Sequence, residues 1–257
     1  MSGIPSSMPL ERPDMHRWIV PLTSLATAAS LLLAAPPVRA DETILGVLAR
    51  SQDTRLAQAH VVDPAGARAR AVRASFETLV QALRVAHLVE LRVIDGPTVA
   101  ETLQGRVVLA HESLADLSEG ERLFILAHEL GHIELRHWEQ TQRVYRKWVP
   151  GAVEPQQTEP VAALLGRDAS ALAYRQEFEA DAYALHALQR LGLGSQDAVA
   201  AFMHMGAMHD SATHPGTGKR LAALRAAGAA DADRAAPPRD AQADTRNEPT
   251  DSVRRVD

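Results

Sequence analysis

The spacing of apolar residues predicts a chain that is mostly helical. Between residues 65 and 87, apolar side chains recur every three or four positions, as they do on the buried face of a helix. A weaker stripe of the same period predicts a helix within residues 41–60, and a longer one predicts a helix from about Asp168 to Leu191. Ser195 would cap a further helix, and Gly228 would close a short one.

Two short stretches depart from the helical period. Residues 89–94 alternate as in a strand, Asp95-Gly96-Pro97 is typical of a turn, and a second strand is predicted over 106–110. We expect these strands to form a small antiparallel sheet beside the next helix, so the expected fold class is α+β and mostly α-helical. The sheet edge could bind an extended peptide by strand addition, or the two strands could simply cover the core.

The next predicted helix carries a pattern with chemical meaning. It opens with Ser118-Glu119-Gly120-Glu121, which matches a capping box, and it contains His128-Glu129-Leu130-Gly131-His132. Positions four apart share a helix face, so both imidazoles could hold one zinc ion, while Glu129 could take a proton from a water on that ion. The alternative is a surface helix with two histidines. Gly131 lowers helix propensity, which indicates a packing or substrate-access requirement.

A third ligand has to come from elsewhere, because H-E-x-x-H supplies only two. Downstream, Glu177-Phe178-Glu179-Ala180-Asp181 places Glu177 and Asp181 four apart on a predicted helix. We expect Glu177 to bind zinc and Asp181 to hold a histidine ligand through its free ring nitrogen. The alternative is a solvated acidic face, which is what we expect for Glu179. The spacing of His137 takes it off the ligand face and predicts a surface or supporting position.

The ends of the chain differ from its middle. An apolar run over 18–35 is followed by Val38-Arg39-Ala40, which predicts a secretory signal peptide over 1–40 with cleavage after Ala40. The alternative is an uncleaved membrane anchor, which the shortness of the run disfavours. The folded domain is expected over 41–228. From residue 229 the chain holds almost no residue that could be buried, so 229–257 is expected to be a disordered tail.

Composition narrows the class of protein further. The net charge of -5 argues against nucleic acid as the main partner. The absence of cysteine from the sequence excludes a disulfide framework and a Cys-ligated zinc site. No stretch after the predicted leader is long and apolar enough to span a bilayer, so we expect a soluble mature chain that is periplasmic or secreted.

Taken together with His214-Pro215 and Arg220, these motifs resemble peptidase family M48, in particular the gluzincin group that contains HtpX-like, BepA-like and CAAX prenyl proteases. The resemblance covers roughly residues 45–228. It implies a zincin-type metallopeptidase domain that binds one Zn²⁺ per chain. The implied ligands are His128, His132 and Glu177.

The resemblance also implies roles for the remaining residues. Glu129 would be the general base, and Asp181 would orient a ligand. His214 and Arg220 would stabilise the developing oxyanion or contact substrate, and the strand over 106–110 would be the substrate-binding edge. From this sequence we expect neither the membrane-spanning helices nor the repeat domain of some members. We therefore expect an exported endopeptidase that acts on proteins or peptides, by analogy in envelope protein quality control.

Two other classes of function remain open from the sequence. A latent or inactive zinc-holding module, with a binding or chaperone-like role, would result if His214 closed the site. A structural zinc site with four protein ligands would need no base, and the presence of Glu129 argues against it. The sequence does not predict the oligomeric state.

Overall fold

Helices make up most of the chain that the structure describes. The computed structural model describes residues 42–86 and 88–235, with side chains as far as residue 228. The helices are α1 (Ile44–Gln58), α2 (Ala67–Leu83), α3 (Glu119–Glu134), α4 (His137–Trp148), α5 (Pro155–Thr158), α6 (Ala162–Arg190), α7 (Ser195–Met205) and α8 (Thr217–Ala235).

A small mixed sheet lies beside these helices. Its strands are β1 (His60–Val61), β2 (Glu90–Asp95), β3 (Ala100–Leu103) and β4 (Val107–His111), and within the described chain their order is β1-β2-β4-β3. β2 runs antiparallel to β1 but parallel to β4, and β4 runs antiparallel to β3. The α+β fold class is therefore confirmed, whereas the prediction of a wholly antiparallel sheet is wrong.

The prediction of an antiparallel sheet failed because the sequence analysis missed strand β3. This strand is only four residues long, and it joins β4 through a tight turn in which both Gln104 (φ 55°) and Gly105 (φ 63°) adopt the left-handed conformation. With β3 inserted between them along the chain, β2 and β4 come to lie side by side in the same direction. The strand expected to be the substrate-binding edge, over 106–110, is an inner strand, and β3 forms the edge instead.

Helix α3 lies at the centre of the fold. It begins as predicted, because the Ser118 hydroxyl accepts from the Glu121 N–H (3.3 Å) and the Glu121 carboxylate accepts from the Ser118 N–H (2.9 Å). Helices α2, α6 and α7 and strand β3 pack around it. Leu126 and Leu130 are completely buried, so the H-E-x-x-H motif is held in the interior of the domain.

The crossing of α3 and α6 explains the mid-helix glycine. A Cβ atom at Gly131 would lie 3.1–3.2 Å from the ring and Cβ of Tyr183 on α6, which is closer than side chains normally pack. The structure therefore supports the packing explanation for Gly131.

The ends of the folded region differ in part from the prediction. Helix α8 continues past Gly228 to Ala235, so the first residues of the segment predicted to be disordered, 229–257, are helical. The rest of that tail and the signal peptide predicted over 1–40 lie outside the described residues. In the described part of the chain, no helix has both the length and the apolar character needed to cross a membrane.

We predict that Gly131→Ala destabilises the domain despite its better helix propensity. Alanine would gain about 1 kcal/mol of helix propensity, whereas overpacking against the Tyr183 ring should cost about 2 kcal/mol. The expected net loss is about 1 kcal/mol in the free energy of unfolding, measured by urea titration in the presence of a metal chelator.

Gly166→Ala is the matched control, because Gly166 also lies within a helix but has no atom near its Cβ position. It should stabilise the domain by up to about 1 kcal/mol. In a Tyr183→Ala background Gly131→Ala should also become stabilising. Equal stabilisation by the two glycine substitutions in the wild-type background would contradict the packing explanation.

Candidate metal centre and active site

Three predicted ligands converge at one point of the interior. His128 and His132 project from successive turns of α3, and Glu177 approaches from α6. One ligand atom from each lies within 4.8 Å of the others. The Nε2 atoms of the two histidines are 3.1 Å apart, and the Glu177 carboxylate oxygens lie 3.6 Å from His132 Nε2 and 3.7 Å from His128 Nε2. The structure thus brings together the three residues that the sequence singled out.

The donor set fits a zinc ion. Two ligands at tetrahedral positions around zinc, each about 2.05 Å from the metal, are separated by about 3.4 Å. The two imidazole nitrogens are 3.1 Å apart, and each lies 3.6–3.7 Å from a different oxygen of Glu177, so the three groups are close enough to share one ion. Glu177 Oε2 is buried, and among the described residues it has an ion-pair contact with Arg220 Nη1 (3.2 Å) but no hydrogen bond. Two imidazole nitrogens and a buried carboxylate therefore form a site with three protein ligands and room for a fourth from outside the chain.

Asp181 holds His128 in the orientation that metal binding needs. Its Oδ1 lies 3.0 Å from His128 Nδ1. Burial alone would raise the pKa of Asp181, but the charge and hydrogen bonds of Arg220 outweigh it and keep that pKa below its ordinary value. The ionised Asp181 therefore accepts a hydrogen bond from Nδ1–H, which leaves the lone pair on Nε2 facing the other candidate ligands.

Arg220 lies behind the ligands. Its Nε and Nη2 donate to the two oxygens of Asp181 (2.8 and 2.6 Å), and its Nη1 is 3.2 Å from Glu177 Oε2. The residue is only 2% exposed, and its guanidinium carbon lies 4.7 Å from the centre of the Phe202 ring. This placement favours a positioning role for Arg220 over the substrate contact implied by the family resemblance.

The candidate base Glu129 lines the cleft beside the ligands and is fixed by a residue that sequence reasoning missed. The hydroxyl of Thr102 lies 2.9 Å from Glu129 Oε2 and 2.8 Å from the Glu129 carbonyl oxygen. Burial raises the pKa of Glu129, against the opposing effects of His128 and Thr102. No sequence signal identified Thr102, because it lies on β3, the strand that periodicity did not reveal.

His137 supports the second histidine ligand. It was expected off the ligand face because the sequence analysis continued α3 through it. Instead α3 ends at Glu134, Arg136 adopts a left-handed conformation (φ 56°), and α4 starts in a new direction at His137. The His137 ring is 3% exposed, and its Nδ1 lies 2.9 Å from His132 Nδ1. Of the two expected positions, surface or supporting, the structure shows the supporting one.

A chain of hydrogen bonds leads outward from this histidine pair. Burial lowers the pKa of His137 to about 4, so its ring is neutral. Its Nδ1 can therefore accept a hydrogen bond from His132 Nδ1–H. The opposite nitrogen, Nε2, then donates to Glu179 Oε2 at 3.2 Å. Glu179, expected to be merely solvated, therefore fixes the tautomer of His137. This in turn leaves His132 Nε2 free to bind metal.

His214 lies at the cleft, on the loop before α8. Its Nε2 is 3.5 Å from Glu177 Oε1, and its Nδ1 is 2.9 Å from the Thr213 hydroxyl. It is not a member of the three-ligand set among the described residues. The same cleft is lined by Gln52 of α1 and Trp138 of α4, so three separate parts of the chain surround the ligands.

A helix that bears H-E-x-x-H, a glutamate ligand from a second helix and a neighbouring sheet edge together define the gluzincin class of metallopeptidases. The family follows from a direct comparison: the model of peptidase family M48 matches residues 67–153 and 155–227, and the chain belongs to this family. Its assignment to the HtpX-like or BepA-like group stays a prediction.

Comparisons with curated proteins and with solved structures add little to the family assignment. No curated protein matches the chain. Among solved structures, the chain is similar to the crystal structure of S. mikatae Ste24p, with 21% identity over 60% of this chain and 49% of that one, and a TM-score of 0.42. The chain therefore spans about half the length of that protein.

We predict that His137→Phe weakens zinc binding by on the order of 10- to 100-fold, because loss of the acceptor for His132 Nδ1–H frees the ligand ring to rotate. His137→Gln, whose side-chain oxygen can accept the same proton, should recover part of the affinity. Competition with a chromophoric chelator measures both.

His186→Gln is the control for this test, since His186 is an exposed histidine on α6. It should bind zinc like the wild type. A His137→Phe protein with wild-type zinc affinity would show that the His132–His137 contact has no part in holding the metal.

Proposed function

We propose that this chain is a zinc-dependent endopeptidase that hydrolyses peptide bonds in proteins. The observation that carries the proposal is the position of Glu129, a buried carboxylate fixed by Thr102 in the same cleft as the three-ligand set. A structural metal site has no use for such a group, whereas peptide hydrolysis needs one beside the attacking water. Membership in family M48 supports the same conclusion.

Zinc, when bound by His128, His132 and Glu177, would polarise the scissile carbonyl and lower the pKa of water at the site. The other steps fall to the chain itself. Glu129 takes the proton of the attacking water and returns it to the leaving amine. Its raised pKa suits both roles near neutral pH, because a more acidic carboxylate would be a weaker base.

The edge strand determines where an extended substrate would lie. β3 forms one side of the sheet, and its Thr102 touches Glu129. An extended peptide that pairs with β3 therefore lies across the cleft next to the base. His214 flanks the same space, with Nε2 3.5 Å from Glu177, where it can donate a hydrogen bond to the oxygen that gains charge during attack.

A latent enzyme is the second candidate, and the position of His214 favours it. The ring is 8% exposed and sits within the cleft, so a small shift of its loop would bring it to the open ligand position. In that state the chain would hold zinc without cleaving. The two candidates differ in what removal of this imidazole should do.

We further propose that the protein is exported and acts on damaged or unfolded envelope proteins. The support is the predicted leader over 1–40 together with the family's protein substrates. N-terminal sequencing of the chain after expression in a bacterium with an outer membrane tests the export step. Asp41 is the expected first residue, and an intact leader on the fractionated protein would contradict export.

We predict that the zinc-loaded protein cleaves unfolded casein and that Glu129→Gln lowers the rate by on the order of a thousandfold while zinc is retained. The rate should also vanish with a chelator and return with added zinc. Glu77→Gln on α2 is a matched control, because this glutamate is exposed and far along the chain from the motif.

His214→Ala decides between the two candidates in the same assay. As a donor to the developing oxyanion it should be needed, and its loss should cost about a hundredfold in rate. An inactive wild type that becomes active in His214→Ala would establish the latent form. Zinc-loaded protein that remains inactive in every variant would refute the peptidase proposal.

A further inference from the structure

The free side of β3 can be identified from the hydrogen bonds of the sheet. In an antiparallel pair, opposed residues alternate between exchanging two hydrogen bonds and exchanging none. The N–H of His111 donates to the carbonyl of Val99 (2.8 Å), and Glu101 and Leu103 follow in register opposite β4. Alternation from Val99 therefore assigns the backbone groups of Glu101 and Leu103 to β4.

The intervening residues direct their backbone groups to the open side. These are Ala100 and Thr102 on the strand. Gln104 follows the last paired residue, and its N–H also points away from β4, toward α1. The outward N–H of Gln104 is already taken, because it donates to the side-chain oxygen of Gln52 on α1. Gln52 is only 7% exposed and also lines the cleft. Its carboxamide oxygen occupies the position where a carbonyl of an added strand would lie.

Other contacts hold α1 at this place without help from Gln52. The side chain of Gln104 donates to Asp53, and Arg55 forms an ion pair with Glu101 of β3. Leu48 on the same helix is buried (4% exposed). Shortening the Gln52 side chain should therefore leave the Gln104 N–H free to donate to a substrate carbonyl while α1 stays where it is.

We propose that Gln52 is a stop that limits how far a substrate strand pairs with β3, which makes it a specificity-determining residue of the peptidase. The inference rests on the proposed function. Thr102 contacts the base and so marks the level of the scissile bond. Gln104 lies two residues further along, or about 7 Å in an extended strand.

The direction of the substrate decides which part of it meets the stop. Antiparallel pairing is the more stable arrangement per residue. A peptide bound in this way runs with its N-terminal part toward Gln104. Backbone pairing then extends over about two residues before the scissile bond, and residues further toward the N-terminus have to leave the sheet edge.

The test is a set of peptides with one scissile bond and one to five residues before it. For the wild type, kcat/KM should rise as the first two residues are added before the scissile bond and stay constant when more are added. In Gln52→Ala the third and fourth residues should add about fivefold, which corresponds to one net hydrogen bond regained by the Gln104 N–H. Gln58→Ala on the exposed face of the same helix is the matched control and should keep the wild-type length dependence.

A second measurement does not require cleavage. Peptide affinity is measured in the zinc-loaded Glu129→Gln protein, with and without Gln52→Ala, together with hydrogen exchange at the Gln104 amide. This amide should be protected in the presence of Gln52, exposed in Gln52→Ala, and protected again when the longer peptides bind.

The outcomes separate the two proposals. Absence of cleavage by both the wild type and His214→Ala would refute the peptidase function, while the peptide affinities would still report on the stop. The same length dependence with and without Gln52 would overturn the stop, even in an active enzyme. An effect confined to residues after the scissile bond would overturn it as well, because it would require the opposite strand direction.

Discussion

The buried ion pair between Arg220 and Asp181 is the interaction on which the rest of the site depends. It joins α8 to α6, and the hydrogen bond that Asp181 accepts from His128 extends it to α3. Buried charges are costly unless they are compensated. Here one guanidinium faces two buried carboxylates, those of Asp181 and Glu177, so negative charge is left over. This excess favours binding of a cation at the candidate ligand set, so the residues that order the core also favour a metal site.

The two histidine ligands are supported in different ways. Asp181, which orients His128, is buried and belongs to the ion pair, whereas His132 relies on His137 and, through it, on the partly exposed Glu179. The first ligand is therefore fixed by the core and the second by a turn between two helices. That turn contains the left-handed Arg136, and it is what brings His137 back onto the ligand side.

Local patterns in the sequence were enough to predict which residues come together as candidate metal ligands but not the shape of the cleft. The capping box at Ser118 and the four-residue spacings of His128/His132 and Glu177/Asp181 depend only on helical geometry, which local sequence determines. Thr102 and Gln52 could not be found in this way, and for His137 the sequence left a surface and a supporting position open. Thr102 lies on a strand too short to show a period, His137 follows a break that no proline or glycine marks, and Gln52 acts through a contact 52 residues away.

The residues of the catalytic site and the residue proposed to limit substrate pairing lie in different parts of the chain. The candidate ligands, the candidate base and the residues that orient them all lie between residues 67 and 227, where the family model matches, whereas α1 lies before that region. Hydrolysis requires fixed positions around one metal, so little in that part can change without loss of activity. A helix at the end of the substrate edge is under no such constraint. A single side chain on such a helix, like Gln52 here, can set where strand pairing stops. It can thereby alter which peptides fit while the catalytic groups remain in place.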